Sequence, residues 1–167
     1  MRKMKKTLTM ICAAVCVIAL LAGCTRGYHG TLDEPELTVS YLTGEYAAQL
    51  INDGARVLFG TIDLTEREDG TRLVNIREKE HVEDPDDPRG FYIADRNLES
   101  TYELSEEARA TFIPRGERVA QAMDYETFVD AVWLEFFENN IEHQDYQLYD
   151  IYIMGDEVLL FIARYFP

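Results

Sequence analysis

From residue 56 onward the chain alternates apolar and polar side chains in short runs, and one stretch near its end switches to helical spacing. Residues 56–67 are rich in Val, Leu, Phe, Ile and Thr and predict a strand, with Gly60 in its interior. A glycine there marks a bulge or sharp bend. Asp69-Gly70 supplies a tight turn, and residues 71–82 return as a second strand in which Val74 and Ile76 alternate with polar neighbours. Pro85, Pro88 and the aspartates between 83 and 90 predict a loop. A short strand is expected over 90–95, then a β region over 101–104 and 110–113, interrupted by a helical turn that Ser105 caps ahead of Glu106 and Glu107. Tyr125, Phe128, Val129, Val132, Trp133, Phe136 and Phe137 then fall on one stripe at i, i+3, i+4, i+7, i+8, i+11 and i+12. Asp124 is placed to cap that helix, and Asn139-Asn140 to end it. Residues 146–154 and 158–166 form a second hairpin around Gly155-Asp156. The last strand is almost wholly apolar, so it is expected to be covered on both faces. Upstream, 37–41 reads as a short strand and 45–52 as a short helix, with Tyr46, Ala47, Leu50 and Ile51 as its apolar positions and Gly54 as its stop.

Strand, strand, strand region, helix, strand, strand is a β-rich α+β order. It resembles the OB-fold, a small five-stranded, partly open barrel with a helix between its third and fourth strands. The likeness spans about residues 56–166 and rests on element order and the first-strand glycine; the N-terminal helix is extra. A cystatin-like α+β sheet with the long helix on one face is the alternative architecture.

The N-terminus adds a compartment. Arg2, Lys3, Lys5 and Lys6 precede an apolar run over 8–21, which ends in Leu21-Ala22-Gly23-Cys24. Charge, apolar run, small residues and cysteine in that order form an export signal, and the run is short for a membrane span, which needs about 20 apolar residues. The tetrapeptide resembles the lipobox of bacterial lipoproteins. The resemblance implies cleavage before Cys24, lipidation of its thiol, and display on the extracytoplasmic face of a membrane. Residues 1–23 are then signal, 24–36 a tether containing Gly27, Gly30 and Pro35, and 37–167 one globular domain.

Charge narrows the partners. Loss of the four signal cations takes the formal net charge from −15 to −19. Nucleic-acid binding needs clustered Lys and Arg to displace counterions, so it is excluded as a reading. Anionic headgroups are repelled and a basic partner is attracted. Cys12 and Cys16 leave with the signal, and Cys24 is taken by lipid, so disulfides, cysteine zinc sites and thiol catalysis are not expected.

Catalytic signatures are sparse. His29, His81 and His143 have no zinc spacing, the serines lie outside G-x-S-x-G, and no phosphate-cradling glycine motif occurs. No cofactor is therefore expected. Glu83, Asp84, Asp86 and Asp87 offer hard oxygen ligands of the kind Ca²⁺ takes, without the EF-hand spacing. Tyr92, Tyr102, Tyr149 and Tyr152 are the ligand-face candidates, because tyrosines on a barrel surface suit glycan or protein contact. The expectation is a non-enzymatic, membrane-anchored module that binds an envelope protein or glycan. An envelope hydrolase using paired carboxylates and an acidic inhibitor of a cationic cell-wall hydrolase are its alternatives.

Overall fold

The computed structural model describes residues 36–139 and 147–166. The segments read as signal and lipobox, and the tether up to Pro35, lie outside the described residues, as do Asn140, His143 and Tyr146. No helix among the described residues is long and apolar enough to cross a membrane.

The described residues are β-rich, with two helical segments and one sheet. Helix α1 joins Val39–Tyr41, a widened turn Leu42–Tyr46 and Ala47–Asn52. The strands are β1 (Arg56–Glu66), β2 (Arg72–Glu83), β3 (Phe91–Phe112), β4 (Gln121–Met123), β5 (Leu148–Met154) and β6 (Glu157–Arg164), with helix α2 (Tyr125–Asn139) between β4 and β5. Their order is β2-β1-β5-β6-β3-β4, and a β2–β3 pairing closes the sheet into a ring. All pairings are antiparallel except β3–β6.

The two expected hairpins form. Gly70 and Gly155 turn them with φ of 86° and 61°, a region where a side chain is strained. Gly60 is the bend in β1. A Cβ there would overlap the Arg77 carbonyl oxygen. Beyond Gly60↔Glu78 the sheet divides: Arg56–Phe59 pair with β5, and Lys79–Glu83 pair with β3.

Closure creates an interior. Ile62, Leu64, Val74, Ile76, Leu104, Ala110, Ile151, Val158 and Phe161 converge there from β1, β2, β3, β5 and β6, and Phe128, Val129 and Val132 of α2 join them. Each fully buried side chain of this size contributes roughly 1.5–3 kcal/mol. The Thr127 N–H donates to Asp124 Oδ1 at 2.9 Å, so Asp124 does cap α2. A second cluster sits on the opposite face of β5 and β6, where Leu42, Ala47 and Leu50 of α1 cover Tyr152, Leu160 and Ile162. The last strand is thus covered on both faces, as its apolar run predicts.

Three sequence expectations are corrected. Residues 39–41 are helical, not extended: Thr38 Oγ1 accepts from the Tyr41 N–H at 3.2 Å and starts α1. Leu42 supplies the buried contact, whereas Ile51 is exposed. The third β region is one strand of 22 residues. Ser105 lies in its bulge, where the β3–β6 register shifts between Leu104 and Arg109. The sheet carries a sixth strand, β4, paired only with β3 outside the closed ring, which the sequence did not suggest.

Candidate functional site

The two turns and the β3 bulge meet at one rim of the ring. Between them lies an open polar hollow of about 660 Å³. Asp69 comes from the β1–β2 turn, Glu103, Glu106 and Glu107 from β3 at and beside its bulge, Glu157 from the start of β6, and Arg72 and Tyr125 from β2 and α2. The fold places these groups by backbone bonds. The Asp156 carbonyl accepts from the Glu103 N–H at 3.0 Å, which ties the β5–β6 turn to β3. Asp69 Oδ1 accepts from the Thr71 N–H at 3.0 Å. That N–H and the Thr71 side chain hold the Asp69 carboxyl below the usual carboxylate range.

Five carboxylates therefore face one guanidinium on this lining. Glu103 also pairs with Arg67 at 3.0 Å, and the two side chains are 48% and 52% exposed. Arg72 lies 3.7 Å from both Glu66 and Glu126, with its guanidinium over the Tyr125 ring. The five carboxylate residues are all exposed. The hollow can attract and hydrogen-bond a cationic surface. The sequence hid it because its carboxylates are spread over three elements, and because the Ser105-Glu106-Glu107 bulge imitates a helix start.

The tyrosines expected to share a ligand face do not share one. Tyr149 is buried in the interior and its hydroxyl donates to Gln147 Oε1 at 3.1 Å. Tyr152 is buried under α1 on the opposite face of the sheet. Tyr102 packs against the interior and bonds Arg56 through its hydroxyl. Only Tyr92 of the four is exposed, at 41%. Tyrosine serves equally in a core with a satisfied hydroxyl and on a wet face, so alternation did not separate these cases.

In the acidic loop, Asp84 Oδ1 accepts from the Asp86 N–H at 3.0 Å and Asp87 Oδ1 from the Arg89 N–H at 2.9 Å. The Arg89 N–H and side chain hold the Asp87 carboxyl below the usual range. These are local turn bonds. Among the described residues no three His, Cys, Asp or Glu side chains converge to hold a metal ion, so Glu83, Asp84, Asp86 and Asp87 are not gathered into a ligand set.

A second, smaller hollow of about 210 Å³ lies across β1, β2 and β3. Near the sheet division, Phe166 approaches Phe59, His81 and Phe91, with ring centroids 6.0, 6.0 and 5.5 Å away.

Comparison of the chain with protein-family models, curated proteins and solved structures finds no match.

Proposed function

We propose that this protein is a non-enzymatic binding module, lipid-anchored through Cys24 on the extracytoplasmic face of a bacterial membrane, whose acidic hollow takes a basic surface of an envelope protein. The domain is read as an OB-like barrel: β1, β2, β3, β6 and β5 form its ring and α2 its helix, while β4 and α1 are additions. Supporting this are the ring closure, the parallel β3–β6 pairing and the helix position. In such barrels the loop joining the first two strands and the loop joining the last two flank the ligand site, and here both border the hollow. The observation that carries the binding reading is the excess of five exposed carboxylates over one guanidinium on that lining. The lipobox carries the anchor. Inhibition of a cationic cell-wall hydrolase is a special case of the same chemistry. The paired-carboxylate hydrolase lacks a buried carboxylate in this hollow to act as its acid.

The test is binding of a lysozyme-type hydrolase, used as the basic probe, to the purified full chain at low and moderate salt. The reading expects an affinity that survives moderate salt and falls in a Glu106→Gln/Glu107→Gln variant. Binding abolished by moderate salt, or indifferent to that variant, is nonspecific attraction and removes the reading.

A further inference from the structure

We propose that the outward face of β1, β2 and β3 holds a site for one neutral sugar ring. This goes beyond the basic-partner reading and does not depend on it; the site shares no lining residue with the acidic hollow.

Strand register builds the site. Thr61 and Asp63 of β1 stand opposite Arg77 and Asn75 of β2. Asn75 and Arg77 in turn stand opposite Thr101 and Glu99 of β3. Ile62 and Ile76 point the other way, into the interior. The outward side chains line the hollow of about 210 Å³.

Thr61 is the observation that points to a ligand. It is 3% exposed, and its hydroxyl has no hydrogen-bond partner among the described residues. Buried hydroxyls are nearly always paired, because an unpaired one forfeits its bonds to water. A valine of the same shape would fill this strand position without that cost. A hydroxyl kept here and lining a hollow is satisfied by what enters the hollow.

The surrounding groups specify what enters. Asn75 Nδ2 donates to Thr65 Oγ1 at 3.2 Å, and Asn75 Oδ1 accepts from Thr101 Oγ1 at 2.8 Å. The amide is thereby fixed, with one hydrogen left to donate. Asp63 has no ion pair or hydrogen bond among the described residues and is a free acceptor. Arg77 and Glu99 are paired at 3.0 Å and form a neutral wall. An anion would meet Asp63 and Glu99. A simple cation would meet Arg77. An apolar ligand would strand every polar group. A neutral ring carrying adjacent hydroxyls supplies both the donors that Asp63 accepts and the acceptors that Asn75 and Thr61 need. The hollow falls below the roughly 300–1,000 Å³ of pockets for drug-sized molecules, which suits a single ring. Phe59 lies two residues along the same row, about 6.6 Å away, and offers an apolar surface to a following ring.

The test uses the full chain in a detergent without a sugar headgroup. Glucose, galactose and N-acetylglucosamine are the probes, followed by saturation-transfer NMR and calorimetry. At least one is expected to bind saturably with a millimolar Kd. Thr61→Val and Asp63→Asn each weaken it at least tenfold, with thermal unfolding showing that both variants fold. Glu106→Gln/Glu107→Gln leaves it unchanged. The proposal is overturned if none of the three sugars binds saturably, if binding persists undiminished in both Thr61→Val and Asp63→Asn, or if it is lost with the acidic-hollow variant.

Discussion

Replacing Gly60 by alanine tests the geometry that shapes β1. The added Cβ would overlap the Arg77 carbonyl oxygen and lie 3.0 Å from its carbonyl carbon and 3.3 Å from Glu78 Cα. All three atoms are backbone, so no side chain can rotate away. One strand must move, and the move disturbs the Gly60↔Glu78 and Gly60↔Tyr149 pairings together. Overpacking of this kind costs about 1–3 kcal/mol and occasionally more. Gly→Ala on its own returns about 0.4–1 kcal/mol by restricting the unfolded chain. With a backbone obstacle the cost belongs at the upper end, and we expect a net loss of about 2–3 kcal/mol. Urea unfolding, followed by circular dichroism at equal protein concentration, reads it as a lower midpoint at unchanged m-value. Gly44→Ala is the control: nothing lies within 4 Å of its Cβ, and it should be neutral or stabilising by up to about 1 kcal/mol. A Gly60→Ala variant as stable as wild type would refute the close approach of β1 and β2.

Three further outcomes are expected. Asp124→Ala removes the α2 cap and should cost about 1 kcal/mol. The Thr127 side chain and N–H hold the Asp124 carboxyl below its usual range. Its stabilisation is therefore present above the unfolded value, about 3.9, and is lost as pH falls through the folded one. Asp124→Asn keeps a capping oxygen without that acid dependence, so its stability at neutral pH should match wild type while its acid limb flattens in pH-resolved melts. Leu42→Ala should cost about 2–5 kcal/mol, because Leu42 is fully buried in the second cluster; a loss below 0.5 kcal/mol, ordinary for a surface site, would show that α1 is not part of the core. On the proposed lipid anchor, in which acyl chains on Cys24 would supply the retention, Cys24→Ala should move the protein from the membrane fraction to the soluble one, and an unchanged distribution on fractionation would remove the anchor.

Local signals were legible in the sequence and non-local ones were not. Asp69-Gly70, Gly155-Asp156, the α2 stripe from Tyr125 to Trp133 and the Asp124 cap depend on neighbours within a few residues, and all four form; the side chains of Phe136 and Phe137 lie outside the described residues. Gly60 was readable as a bend because glycine inside an apolar strand has few other uses. The β2–β3 closure and the parallel β3–β6 pairing join residues far apart in sequence, and nothing in either strand alone specifies them. Thr38 and Ser105 show the ambiguity of capping residues. Thr38 starts a helix where a strand was expected. Ser105 has the sequence pattern of a helix cap, yet its Oγ accepts from the Glu107 N–H at 3.4 Å within a bulged strand. The polar face was written in alternation at Thr61, Asp63, Asn75 and Arg77, but an outward polar row looks the same whether it meets water or ligand.

The most direct measurement is cross-linking of the native protein in intact envelopes at low and moderate salt, with mass spectrometry of what is joined to it. Wild type and the Glu106→Gln/Glu107→Gln variant are run side by side. A basic partner is expected that persists at moderate salt, is cross-linked through residues bordering the acidic hollow, and is depleted in the variant. Efficient recovery of the protein with no salt-resistant partner, or with one that the variant retains in full, would contradict it.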